Sequence, residues 1–451
     1  MESLMSGTTL FAPATSIGRG AVSIVRLSGP SSFSALVCLS RRESFRPRVA
    51  SLCRFQNPVS EEILDEGLAL WFPKPHSFTG EDVVELHLHG GRAVMAGVLD
   101  VLSTLPDLQP AGPGDFTRRA FENGRFDLTA AEAVADLVAA ETAAQRRQAL
   151  RQMDGALGRL YESWRRELLH ALAHLEADID FPDEDLPDGV SLAVRPQLQS
   201  LVSAVAAHLN DGRRGERLRD GVSVTIIGPP NAGKSSLLNI LAQREAAIVS
   251  SRAGTTRDVI EVRLDLGGVP VILADTAGLR AATDEIEEEG IRRALDRAEH
   301  ADLRLAVFDG SEWPSLDART LSLVDRNTIC VVNKCDLLPE PTLKELPAIA
   351  AQPVLAVSAR LGAGVPTLMQ WVQDRVAEIG ACGAEPLLTR ARHRHALEEC
   401  HCSLLRAISG SLSELVAEDV RLAARALGKI TGRVDVEEIL DVIFRDFCIG
   451  K

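Results

Sequence analysis

Gly228-Pro229-Pro230-Asn231-Ala232-Gly233-Lys234-Ser235 fits the pattern GxxxxGKS/T. It follows the apolar run 222–227 and opens a helical segment at 236–241. A strand, a glycine-bearing turn and a helix in this order let backbone N–H groups close around phosphate oxygens. Asn231, Ala232, Gly233 and Ser236 belong to that cradle. Lys234 brings positive charge to the β- and γ-phosphates, and the Ser235 hydroxyl is placed to ligate Mg²⁺.

Working outward, short apolar runs recur at 271–274, 303–308, 329–332 and 354–357, with helical segments between them. That alternation predicts a parallel doubly wound sheet. Asp275-Thr276-Ala277-Gly278 closes the first of these runs. Its carboxylate suits a water-mediated hold on Mg²⁺, and the Gly278 N–H suits a γ-phosphate. Between the two motifs lies Gly254-Thr255-Thr256-Arg257, where a threonine hydroxyl completes the metal shell once triphosphate is bound. Asn333-Lys334-Cys335-Asp336 follows the run 329–332. A carboxylate there accepts from guanine N1–H and the 2-amino group, donors that adenine lacks. Ser358-Ala359-Arg360 follows the next run and fits the loop that holds guanine O6. Four motifs in this order, each at a strand end, point to a guanine nucleotide.

The position after Gly278 is Leu279, which cannot orient an attacking water as a glutamine would. The acidic run Asp284-Glu285-Ile286-Glu287-Glu288-Glu289 lies downstream; taken alone it suits a solvated helix start. Arg252, Arg257 and Arg280 flank the switch segments, but an arginine there is ordinarily a surface ion-pair former. A monovalent cation beside the Asn231 side-chain carbonyl is the other source of positive charge.

The remaining sequence sets the frame. Its 451 residues allow about three domains. At a net charge of −14 and 4% aromatic, the chain is neither a general phosphate-backbone binder nor a base-stacking platform. No apolar run nears the ~18 residues of a membrane span. The segment 3–26 has Ser, Thr and Arg without an acid, as presequences do, yet it reads as folded structure. The eight cysteines are scattered without a CxxC, as reduced thiols are, and a cytoplasmic protein is expected. Strand-like runs at 21–27, 68–72 and 83–89 mark an α/β segment at the N-terminus. Leu157, Leu160, Trp164, Leu168, Leu172, Leu175 and Ile179 then trace one helix face that Asp180-Phe181-Pro182-Asp183 ends. A second helix is expected near 191–209, and the chain turns helical again from about 386 to 447.

Taken together, the motifs resemble the MnmE (TrmE) family of tRNA-modification GTPases. The resemblance covers essentially the whole chain. Besides the nucleotide motifs it rests on Gly18-Arg19-Gly20-Ala21-Val22 through Arg26-Leu27-Ser28-Gly29. It rests further on Ser77-Phe78-Thr79-Gly80-Glu81-Asp82 through His89-Gly90-Gly91, and on Pro113-Gly114-Asp115-Phe116-Thr117-Arg118-Arg119-Ala120-Phe121. The terminal Phe447-Cys448-Ile449-Gly450-Lys451 completes it.

The family's architecture implies an α/β dimerisation and folate-binding domain at 1–120 and a discontinuous helical domain at 121–215 and 380–451. A Ras-like P-loop GTPase domain at 216–379 is inserted into the latter. The resemblance further implies that Asn231, Ser250, Arg252 and Thr255 surround K⁺, which replaces an arginine finger. Ser251, Ala253 and Gly254 belong to the same nucleotide loop. Ser235 and Thr256 would ligate Mg²⁺, and Glu287 would orient the attacking water. Arg26, Glu85, Arg125 and Lys451 fall where the family contacts a tetrahydrofolate derivative. Arg125 stands where some members carry lysine, a different donor geometry. Cys448 matches a cysteine needed for modification rather than for GTP hydrolysis.

The family implies a homodimer and an FAD-dependent MnmG-type partner, joined in a heterotetramer. Together these proteins install an aminomethyl-type (carboxymethylaminomethyl) group on C5 of the wobble uridine, position 34, of certain tRNAs. A regulatory RNA- or ribosome-associated GTPase is the rival reading, but it leaves the terminal motifs unexplained. His393, His395, Cys400, His401 and Cys402 are badly spaced for a metal on one helix face. Arg146, Arg147 and Arg151, and Arg390, Arg392 and Arg394, are basic groups to test as tRNA contacts.

Overall fold

The computed structural model describes residues 7–16, 18–180, 190–244, 261–275, 296–340, 346–380, 386–434, 437–445 and 447–450. Packing divides the chain into two compact units. One comprises 1–135, 152–169 and 424–451; the other comprises 136–151 and 170–423.

The first unit holds β1 (Thr9–Pro13), β2 (Gly20–Ser28), β3 (Ser51–Gln56), β4 (Ile63–Phe72), β5 (Val83–Gly90) and β6 (Leu108–Pro110). Their order in the sheet is β3-β4-β5-β2-β1-β6, antiparallel except for the β1–β6 pair. Val25 and Leu27 of β2 and Val84, Leu86 and Leu88 of β5 are buried. They pack with Leu36 and Leu39 of the helix Ser32–Ser40 and Val98 and Leu102 of the helix Arg92–Thr104. This apolar face supplies the drive to fold, because each such side chain gains about 1.5–3 kcal/mol on burial.

The motif residues of this unit mostly build it. Arg119 is buried and donates to the Ser28 carbonyl at 3.1 Å, to Glu81 Oε2 at 3.0 Å and to the Thr8 carbonyl at 2.7 Å. The Ser28 hydroxyl donates to the same Glu81 oxygen at 2.8 Å. A buried guanidinium holds only when its donors are met, so this one fixes three segments at once. The helix Glu437–Arg445 lies against the motif 113–121: Arg118 meets Asp441 at 2.8 Å, and a Cβ on Gly114 would fall 2.7 Å from the Phe444 carbonyl. Ile449 then bridges to Pro113. Gly450 has φ +91°, and a Cβ there would lie 2.1 Å from the Pro13 carbonyl oxygen, so only glycine fits.

The second unit carries β7 (Val222–Ile227), β8 (Glu261–Leu266), β9 (Val269–Asp275), β10 (Leu303–Asp309), β11 (Thr328–Asn333) and β12 (Val354–Ala356) in the order β12-β11-β10-β7-β9-β8. Each apolar run read as a strand is one. Along β10, Leu303, Leu305 and Val307 join one core while Ala306 and Phe308 join the other. That pattern is the reason for a continuous apolar run in a sheet covered on both faces. The sheet departs from the expected all-parallel form at β8, which pairs antiparallel with β9. Gly267 (φ +64°) and Gly268 (φ +90°) join the two strands, and two consecutive positive φ values are what a tight hairpin turn demands. Its only alternating apolar residues are Val262, Leu264 and Leu266, too few to have marked a strand in the sequence.

The helix Ala156–Asp180 buries Leu157, Trp164, Leu168, Leu172 and Leu175 from the expected face. Its expected stop at Phe181-Pro182 lies outside the described residues. Among the described residues no helix is long and apolar enough to cross a membrane.

Candidate nucleotide-binding site

Parallel neighbours β7, β9, β10, β11 and β12 bring their C-terminal ends to one edge of the sheet, where ligands of such folds bind. Four of the five motifs emerge there. The loop after β7 turns through Asn231 (φ +63°) and Gly233 (φ +92°). A Cβ on Gly233 would meet Asn333 Nδ2 at 2.1 Å. That close approach has a purpose: Asn333 Nδ2 donates to the Ala232 carbonyl at 2.8 Å, and Asn333 Oδ1 accepts from the Ala359 N–H at 3.0 Å. One buried amide thus ties the phosphate loop to both base-side loops.

Lys234 is buried and donates to the Gly228 and Pro229 carbonyls, each at 2.8 Å. The Ser235 hydroxyl donates to Asp275 Oδ2 at 2.6 Å. Two hard oxygen donors this close suit Mg²⁺, which takes oxygen ligands and keeps several waters. On the base side, Asp336 Oδ1 accepts from the buried Ser358 hydroxyl at 2.6 Å, while Oδ2 lies 3.7 Å from Arg360 Nη2. The Ser358 hydrogen bond is the main reason the Asp336 carboxyl is held below the usual carboxylate range. It stays ionised, as a double acceptor for guanine must.

Ser250, Ser251, Arg252, Ala253, Gly254, Thr255, Thr256, Thr276, Ala277, Gly278, Glu287 and Lys451 lie outside the described residues. No motif marks Asp309 at the end of β10, yet it contacts Lys334. The available signal was an acid closing an apolar strand, the place Asp275 holds on β9.

A second cluster lies within the first unit. Arg26 of β2 donates from Nε and Nη2 to Glu85 Oε1 of β5, at 3.0 and 2.8 Å; the two residues are register partners. The Arg26 guanidinium sits 5.6 Å from the Phe78 ring centroid and 5.9 Å from that of Phe116. Arg125 runs beside Gly80, whose added Cβ would lie 3.2 Å from Arg125 Cδ. Arg26 and Arg125 therefore both border the segment 77–82. Cys448 is exposed, and its carbonyl accepts from the Gly114 N–H at 3.5 Å. A cation, a carboxylate and aromatic rings thus lie together beside the segment 77–82.

Among solved structures, the G domain of the T. maritima FeoB iron transporter matches at 24% identity with a TM-score of 0.25, over 35% of this chain and 98% of that one. A family model described as the MnmE helical domain matches residues 128–448, and one described as the GTP-binding protein TrmE N-terminus matches 9–125. The tRNA modification GTPase MnmE of Parvibaculum lavamentivorans is 56% identical over 447 residues, spanning 98% of this chain and 100% of that protein. Its counterpart in Paramagnetospirillum magneticum is 58% identical over 444 residues, spanning 98% and 99%. The chain belongs to the MnmE family.

Residues outside the MnmE motifs sort as follows. The His/Cys group at 393–402 forms no metal cluster among the described residues. His393 and Cys400 are buried, and burial pushes the Cys400 thiol up to about 12, so it is inert. Arg390 meets Asp136 at 2.8 Å, and Arg394 meets Asp211 at 2.8 Å and Glu216 at 3.0 Å. Those two arginines are committed to internal ion pairs rather than to tRNA phosphates. His89 of β5 contacts Asp65 of the neighbouring β4 at 2.8 Å, a contact between strands.

Proposed function

We propose that this MnmE-family chain binds GTP at the sheet edge described above. It hydrolyses GTP with the help of K⁺ and acts with an FAD-dependent MnmG-type partner on C5 of the wobble uridine of certain tRNAs. Its family is one of tRNA modification GTPases, so its class is that of a GTP hydrolase. The observation that supports the guanine reading is the placement of Asp336, whose carboxylate accepts from Ser358 at 2.6 Å beside the Asn333 tie.

In this reading Lys234 shifts its hydrogen bonds from the loop carbonyls to phosphate oxygens. Ser235 and Thr256, with Asp275 through water, would hold Mg²⁺. Asn231, Ser250, Arg252 and Thr255 would hold K⁺. Bound there, the two cations neutralise charge that builds on the phosphate oxygens. Glu287 orients the water in place of the glutamine that Leu279 displaces. Arg26, Glu85, Arg125 and Lys451 hold a tetrahydrofolate derivative that donates the one-carbon unit, and Cys448 serves the modification. The chain works as a cytoplasmic homodimer and forms a heterotetramer with its partner. The domain divisions 1–120, 121–215, 216–379 and 380–451 follow the same reading.

The test is deletion of the gene followed by mass analysis of tRNA nucleosides. The C5-modified wobble uridines should disappear; unchanged nucleosides would sink the modification role. The K⁺ role has its own check. GTP turnover should rise on the order of tenfold or more when K⁺ replaces Na⁺, because the larger ion fits a site of carbonyl and hydroxyl oxygens. Equal rates in both salts would remove the cation from Asn231.

A further inference from the structure

Asp309 ends β10, the register partner of Asn333 on β11. Its side chain is 7% exposed, and its Oδ2 accepts from Lys334 Nζ at 2.5 Å. Its Oδ1 accepts from Ser311 N at 2.9 Å and from Ser311 Oγ at 2.6 Å. Burial alone would raise this carboxyl, but the Lys334 and Ser311 hydrogen bonds outweigh it and hold it below the usual range. The turn that follows is just as constrained, since a Cβ on Gly310 would meet the Asn333 carbonyl oxygen at 2.6 Å. Lys334 itself has φ +59° and caps the short turn Cys335–Leu337 that presents Asp336.

We infer that Asp309 is a positioning residue for guanine: it pins the Lys334 ammonium so that the lysine stem lies in place alongside the base that Asp336 reads. The inference rests on the guanine-nucleotide reading given above. A lysine stem covers flat apolar surface well while its head is held elsewhere. An unheld lysine would have to surrender its rotamer freedom when the base arrived. The pinned one has surrendered it already, so base binding is tighter. The phosphate end of the nucleotide is held by other residues, and the effect belongs to binding rather than to hydrolysis.

The test uses the full chain and steady-state GTP hydrolysis. Asp309→Asn keeps an acceptor for Ser311 and removes the charge that holds Lys334. It should raise KM for GTP about tenfold while kcat at saturating GTP stays within about twofold. In a Lys334→Ala background the same substitution should change KM by less than about twofold, since nothing remains to be pinned. An unchanged KM, an equal rise in both backgrounds, or a loss confined to kcat overturns the inference. Should Asp309→Asn not fold, Lys334→Met keeps the stem and deletes the pinned head. It should raise KM by a similar factor, and an unchanged KM overturns the inference equally. Failure of the wild-type chain to bind GTP would instead defeat the guanine reading, and this inference with it.

Discussion

An Asp336→Asn chain should lose GTP affinity by on the order of 10²–10³-fold and come to prefer xanthosine triphosphate. Asp336 offers acceptors to two guanine donors, N1–H and the 2-amino group. The amide that replaces it presents an N–H₂ to that amino group, so two donors face each other and neither is satisfied. Xanthine carries a carbonyl at C2, which that N–H₂ matches. The change should leave the fold alone, because an amide oxygen can still accept from Ser358, which now bonds Asp336 at 2.6 Å. Isothermal titration of both chains with both nucleotides measures the effect. Guanine preference retained in the variant would show that Asp336 does not read the base.

Glu287→Ala should lower kcat for GTP by roughly 10²–10³-fold and leave nucleotide affinity within a few-fold of wild type. A water attacking a γ-phosphate needs a group to orient it, and Leu279 has no polar atom to offer. The family resemblance gives that role to Glu287 in the acidic run downstream, and a residue that acts only on the attacking water leaves nucleotide affinity nearly intact. Single-turnover hydrolysis with independent measurement of Kd separates the two effects. Hydrolysis at the wild-type rate would move the water-orienting role to another residue.

The nucleotide fold was legible because its signals are local. Each parallel strand is an apolar run, and each motif sits where such a run stops, so β7, β9, β10, β11 and β12 could be placed without any knowledge of pairing. The edge strand β8 was missed because half of its residues face outward, and only three apolar positions alternate. Asp336 and Lys234 were found as motif members. Asp309 was not, because its role exists only through the adjacency of β10 and β11, which sequence spacing does not encode. The same holds for Arg119. It belongs to a quoted motif, but that it joins Thr8, Ser28 and Glu81 depends on the β1–β2–β5 arrangement. His393, weighed in the sequence only as one of a badly spaced His/Cys group, is buried, which spacing alone did not show.

The first compact unit has a consequence for biosynthesis. Its opening strands and its closing helix are parted by roughly 250 residues of the other unit, between 169 and 424. A ribosome adding about 5–20 residues per second needs roughly 10–50 s to cross that gap. Throughout that interval the nascent sheet lacks the helix that covers Gly114 and the glycine that seats against Pro13. Its apolar flank must wait in the open, which makes this segment a place where chaperones and aggregation compete for the newborn polypeptide.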